Sequence, residues 1–233
     1  MAIRSAGGNR LLQLLSRQDR ALLDRSLAPV NLKLRASFER PNRRIENVLF
    51  PESGVASVVA QHRDGRRIEI GIVGCEGMSG TTVVLGNDRS PHSTYMQVAG
   101  KGHAIPVAAL RKAMAHSRTL HAVLLKYVQA FMVQTAHTAI ANARASLSER
   151  LARWLLMAHD RVPGDELLLT HEFLSLMMAV RRAGVTETLQ KFEDLDLIGR
   201  NRGEISILDR KGIEKIASHY YGTPEAEYRR LMR

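Results

Sequence analysis

The 233-residue sequence predicts an α+β fold: an amino-terminal antiparallel β-roll, a long dimerisation helix and a carboxy-terminal winged helix-turn-helix. Three observations carry this expectation. From Val30 to about Val107 the apolar residues come in short alternating runs separated by Gly, Pro, Asn and Asp, the texture of many short strands. From Pro106 to Ala143 the texture is helical, with Leu120, Leu124, Tyr127 and Phe131 repeating at 4-3-4. From Thr170 to Ile207 two short amphipathic segments flank the turn Ala179-Val180-Arg181 and run into a basic-tipped hairpin.

The elements follow in order. Residues 1–10 are expected to be disordered, and Leu11, Leu12, Leu15, Leu22, Leu23 and Leu27 mark one or two short helices before Pro29. Strands are expected near 48–50, 55–60, 68–73, 81–85 and 95–98, with Asp64-Gly65 as a hairpin turn. A short helix runs from Pro106 to about Ala115 and a long one from about Ser117 to Ala143. The stripe of Leu120, Leu124, Tyr127 and Phe131 reads as a homodimer interface on a helix wide enough to cover the roll as well. The break from Ala143 to Ser146 separates an effector-like domain, 1–143, from a second domain, 144–233. Ser146 and Glu149 form a capping box for a helix carrying Leu147, Leu151, Trp154 and Leu155, which Pro163-Gly164 ends before a short strand at 167–169.

In the helix-turn-helix, Thr170 caps a first helix that buries Phe173, Leu174, Met177 and Met178. The second starts near Arg182, with Val185, Leu189 and Phe192 on one stripe and Ala183, Thr186, Glu187 and Gln190 opposite. Such a helix N-terminus, with an arginine, small residues and hydrogen-bonding side chains, is what entry into a DNA major groove requires. Leu197-Ile198, the basic turn 199–203 and the strand 204–207 add a wing suited to phosphates. Asp209 caps a helix to about Ser218, and the tail from Tyr220 forms one more turn or two.

The run from Val180 to Leu189, followed by Glu193-Asp194-Leu195-Asp196-Leu197-Ile198, resembles the DNA-binding domain of the Crp/Fnr family of bacterial transcription regulators. Phe50-Pro51-Glu52-Ser53-Gly54 and Gly74-Cys75-Glu76-Gly77-Met78-Ser79-Gly80 are similar to the family's cyclic-nucleotide-binding-like effector domain. The resemblance implies a sequence-specific transcription regulator that binds double-stranded DNA at a palindromic site as a homodimer, with RNA polymerase a possible further partner. Arg182 falls at the family's guanine-reading arginine, while Ala183 and Glu187 depart from the cAMP-responsive pattern. Thr186, Glu187 and Gln190 would add base or phosphate contacts, and Thr170, His171, Arg181, Lys191 and Arg202 would hold phosphates. In cAMP-responsive members a glutamate takes the ribose hydroxyl and an arginine the phosphate. Thr81 and His92 occupy those positions here, and Ala136 follows Thr135 where a serine is usual, so cAMP is not the expected effector. The roll is expected to be a ligand-free scaffold or to sense something else, acting through the hinge near residue 144.

Composition narrows the alternatives. Hydrophobic residues make up 45% and charged residues 24%, an ordinary globular balance. No apolar run approaches the ~20 residues of a membrane span, and MAIRSAGGNR has no apolar stretch behind its charges, so a cytoplasmic protein without membrane association is expected. The single cysteine, Cys75, excludes an internal disulfide or a cysteine-ligated iron–sulfur cluster. No histidine has a context that marks it as a haem or metal ligand, so no cofactor or metal is expected. HExxH, GxSxG and GxxxxGK[ST] are all absent, and an enzyme is not expected. The net charge of +11 suits a polyanionic partner, yet residues 1–168 hold +10 of it and residues 169–233 only +1. The competing readings are a sensor or interaction module whose helix pair binds protein, and a cAMP-responsive regulator with an altered pocket.

Overall fold

The structure, a computed structural model, describes residues 7–233. The expectation of disorder at the amino terminus lies outside the described residues for 1–6 and is corrected at residue 9. Asn9 is buried, caps α1 (Arg10–Gln13), and donates through Nδ2 to the carbonyls of Pro51 and Gly77 at 2.7 Å. Its hydrogen bonds fix the chain where composition suggested a loose end. Ser16 caps α2 (Arg17–Asp24).

The roll follows as β1 (Ala28–Leu32), β2 (Ser37–Glu39), β3 (Asn47–Pro51), β4 (Val55–Gln61), β5 (Arg67–Val73), α3 (Thr81–Val84), β6 (Ser93–Val98) and β7 (Gly100–Pro106). The strands form two antiparallel sheets, β1-β7-β3 and β2-β6-β4-β5. Leu32, Leu49, Ala56, Val58, Val73 and Met96 form an apolar cluster within the roll, with Phe38 and Phe131 packed against it.

One sequence expectation fails here, and one central strand goes unexpected. The strand expected at 81–85 is α3: β-branched Thr81, Thr82, Val83 and Val84 read as a strand, but Gly80 turns the chain at φ +68°. Val83 and Val84 are then buried in the cluster that holds α5. β7 gave no apolar signal because two of its residues are glycines where neighbouring backbone passes. A Cβ on Gly102 would lie 2.4 Å from the Phe50 carbonyl oxygen, so the glycine is what allows the strand to be central.

α4 (Val107–His116) leads into α5 (Arg118–Arg144), which Ser117 caps. The proposed dimer stripe is corrected. Leu120 and Leu124 are 0% exposed and Tyr127 is 2% exposed, all in a core shared with α1, α2, α3 and α4, and Phe131 packs against the roll. Withdrawing one such leucine costs about 1.5–3 kcal/mol, so Leu120, Leu124 and Tyr127 are held by their own chain, while Phe131 is only partly buried.

α6 (Leu147–His159) opens with the expected capping box of Ser146 and Glu149, and every residue from Leu151 to Val162 is buried. Then come β8 (Glu166–Leu168), α7 (His171–Met178), α8 (Arg182–Asp194), β9 (Ile198–Asn201), β10 (Glu204–Ile207) and α9 (Arg210–Ala217). The sheet order β8-β10-β9 makes the wing. Gly199, Arg200 and Asn201, expected in the turn, pair with Ser206, Ile205 and Glu204, which leaves Arg202-Gly203 as the tip.

The tail is more than a turn or two. After a 3-10 turn at Ser218–Tyr220, α10 (Thr223–Leu231) packs on α5, and the Tyr228 hydroxyl donates to the Glu76 carbonyl at 2.7 Å. The last helix thus returns to the amino-terminal half.

Candidate nucleic-acid interface

The helix pair is built from its buried faces outward. Leu174, Met177 and Met178 of α7 meet Val185, Leu189 and Phe192 of α8 in one core with α6. Phe173 stands edge-on to Trp154 with ring centroids 5.6 Å apart. Thr170 caps α7 by accepting from Phe173 N at 3.2 Å. The chain leaves α7 through Ala179 at φ +51°, a left-handed position that sets the turn between the two helices.

Packing that stripe inward turns the opposite face out. Thr170, Arg181, Arg182, Ala183, Thr186, Glu187, Gln190, Lys191 and Arg202 are exposed, and His171 is half-buried beside them. Among the described residues, the side chains of Arg181, Arg182, Glu187, Lys191 and Arg202 make no hydrogen bond or ion pair. Arg181 and Arg182 stand at the start of α8, where the helix dipole and free N–H groups also favour an anion. Glu193, Asp194 and Asp196 lie at the far end.

The remaining residues are tied together. His171 Nδ1 lies 3.0 Å from Thr186 Oγ1, which also donates to the Arg182 carbonyl at 3.1 Å. Partial burial, then the charges of Arg200 and Arg182, lower the His171 pKa below its ordinary value. Gln190 is already engaged: its Nε2 donates to Asp194 at 2.8 Å and its Oε1 accepts from Arg200 Nη2 at 2.5 Å. Arg200 also pairs with Glu193, binding the wing to α8. Arg200, expected in the basic turn and not among the site residues, lies instead within β9. Its signal is the strand pairing, which points it back at α8.

Two further features bear on function. At α3, the buried Glu39 carboxylate accepts from Gly80 N at 2.8 Å. Burial raises the Glu39 pKa, and the Gly80 N–H and the Thr94 and Ser90 hydroxyls pull it back. Of the residues at the cyclic-nucleotide positions, Thr81 opens α3 beside Gly80, His92 N donates to Ser90 Oγ at 3.1 Å, and Thr135 Oγ1 donates to the Met132 carbonyl of its own helix at 2.8 Å. On α5, the outward face carries Ala122, Leu125, Gln129, Met132, Ala136, Ala139 and Ala143, an alternating three-four spacing, with Ile140 beside it. Leu125, Met132 and Ile140 are 40%, 62% and 49% exposed.

Residues 149–216 match the Crp-like helix-turn-helix domain. The fold is similar to solved structures over most of the chain. FixK2 from Bradyrhizobium japonicum is 13% identical, with 82% of this chain and 98% of that one covered at a TM-score of 0.69. The c-di-GMP-responsive global regulator CLP from Xanthomonas campestris is 16% identical, covering 82% and 99% at 0.62. A CRP-family transcriptional regulator from Thermus thermophilus is 20% identical, covering 81% and 96% at 0.60. No curated protein matches in sequence.

Proposed function

We propose that this chain, a DNA-binding transcription regulator of Crp/Fnr type, reads a palindromic duplex site as a homodimer and does so without cAMP. The observation that carries the reading is the outward face of α8. Arg182 and Glu187 stand there with their charges unpaired, in a helix whose other side is locked in the core. A guanidinium can bond bidentately to guanine, and a glutamate can accept from a cytosine amino group. Thr170, His171, Arg181, Lys191 and Arg202 surround them as phosphate contacts that fix register.

Homodimerisation is supported by the exposed stripe through Leu125, Met132, Ala136 and Ile140. Its three-four spacing is that of a two-stranded helical seam. A two-fold dimer would set two copies of α8 in successive major grooves ~34 Å apart. Independence from cAMP is supported by Glu39. A carboxyl group of the chain itself already accepts from the backbone N–H at the start of α3, and a cyclic phosphate placed there would have to displace it.

The test is selection of bound sequences from randomised duplex DNA by the purified protein, with and without cAMP. A palindrome recovered without the nucleotide is the expected result. Recovery only with cAMP would overturn the reading of Glu39, Thr81 and His92. A half-site without two-fold symmetry would overturn the dimer.

A further inference from the structure

The basic excess of this chain lies outside the helix-turn-helix, and part of it gathers beside it. β4 and β5 are joined by His62-Arg63-Asp64-Gly65-Arg66, and Arg67 opens β5. The one acid of the hairpin is spent on the turn. Asp64 accepts from Arg66 N at 3.0 Å, pairs with the Arg66 guanidinium at 2.5 Å and lies 3.0 Å from the His62 ring. Arg63 and Arg67 are exposed, and among the described residues neither side chain makes a hydrogen bond or an ion pair.

The position of Arg67 gives the hairpin a partner, and Arg63 stands four residues before it on the exposed turn. His62, Arg66, Arg67 and Ile68 share an open cleft with Ala179, two residues ahead of Arg181. On the other side, Arg67 and Arg35 line a second cleft with Thr170 and Phe173 at the start of α7. Arg67 therefore stands between the first turn of α7 and the turn that delivers α8, the two places where phosphates are proposed to bind. Arg35 is exposed and likewise without an ion pair among the described residues.

We infer that the β4–β5 hairpin is a second, sequence-independent contact to the duplex, with Arg63 and Arg67 on the phosphates that flank the bases read by α8. The inference rests on the assignment of α8 as the DNA-reading helix. A guanidinium fork matches a phosphate in geometry and charge, and each phosphate neutralised releases condensed counterions. The hairpin carries no base-reading helix, so its contribution is uniform over sequence and strongly dependent on salt.

The experiment measures Kd for the full chain on its selected duplex and on an unrelated duplex, over roughly 50 to 200 mM salt. Wild type is compared with Arg63→Ala/Arg67→Ala, Arg63→Lys/Arg67→Lys and Arg182→Ala. Both hairpin positions are exposed, so the fold is not at risk. The alanine pair should flatten the slope of log K against log salt by roughly 2, weaken both duplexes alike, and leave the base preference intact. The lysine pair should restore the slope. Arg182→Ala should instead lose preference at one base pair. An unchanged slope in the alanine pair, with wild type bound and Arg182→Ala impaired, overturns the hairpin contact alone. A wild type that binds neither duplex overturns the hairpin contact and the DNA-reading role of α8 together.

Discussion

Arg182 opens α8 with its guanidinium unpaired, and its geometry makes a sharp demand. Arg182→Ala should cost about 1–3 kcal/mol on the selected duplex and relax the preference at a single base pair, as read by competition binding against single-base variants. A uniform loss across all variants would make Arg182 a phosphate contact instead. Glu69 makes a different demand. It is buried between β4 and α6, where it accepts from Trp154 Nε1 at 2.6 Å and from the Ser57 hydroxyl. Burial pushes its pKa from 4.5 up to about 7, against the pull of those hydrogen bonds and of Arg153 and Arg161. Between these two values the folded chain keeps a proton that the unfolded chain has lost. The stabilisation is complete below pH 4.5 and is lost as pH rises through about 7, a swing on the order of 3 kcal/mol. Glu69→Gln keeps both hydrogen-bond partners and removes the titration. Its denaturation midpoint should be flatter than wild type over that window and higher above it. Parallel pH profiles would show that Glu69 does not govern this part of the stability curve.

At the scale of the element, α5 has two faces, one buried and one on which the proposed dimer rests. One holds Leu120, Leu124 and Tyr127 in the chain's own core, and the other leaves Leu125, Met132 and Ile140 exposed. Leu125→Asp/Met132→Asp places charge on the exposed face without touching the core. Light scattering should then report a monomer of unchanged helicity, and affinity for the palindrome should fall because only one half-site is engaged. A dimer that persists would put the interface on another surface. The segment from Gly74 to Gly80 shows a different kind of element logic. A Cβ on Gly77 would lie 2.2 Å from the Tyr127 ring, so the loop can pass under α5 only as glycine. The motif reads as a signature because several such contacts are packed into seven residues.

For the whole molecule, the carboxy-terminal half is docked on the roll rather than tethered to it. Arg161 and Glu76 form a buried ion pair at 2.8 Å, Trp154 reaches Glu69, and α10 lies on α5. Val55, Val59, Ile72 and Val98 of the roll share a core with α6, α7 and α8. No helix among the described residues is long and apolar enough to cross a membrane. Tyr228→Phe tests the docking. It removes the donor to the buried Glu76 carbonyl and should cost about 1–3 kcal/mol in denaturant unfolding, because that carbonyl loses its partner. A neutral substitution would mean that α10 contributes little to holding the halves together.

What the sequence determined by itself was local. Helix stripes, the Ser146 capping box, the Asp64-Gly65 hairpin and the outward set on α8 all follow from periods of 2 and 3.6 and from turn chemistry, which neighbours along the chain decide. Arg182, Thr186, Glu187, Gln190 and Lys191 stand outward for the same reason: the buried stripe of α8 fixes which of its residues are left outside. Tertiary structure decided everything that needs a second segment. Which face of α5 is core depended on where the roll and the short helices land. β7 became a central strand because its glycines admit the backbone of β3. Arg200 joined α8 through strand pairing, and α10 found its place on a helix about a hundred residues earlier. Apolar periodicity shows that a face is buried and says nothing of what buries it, because burial is a property of the partner as much as of the stripe.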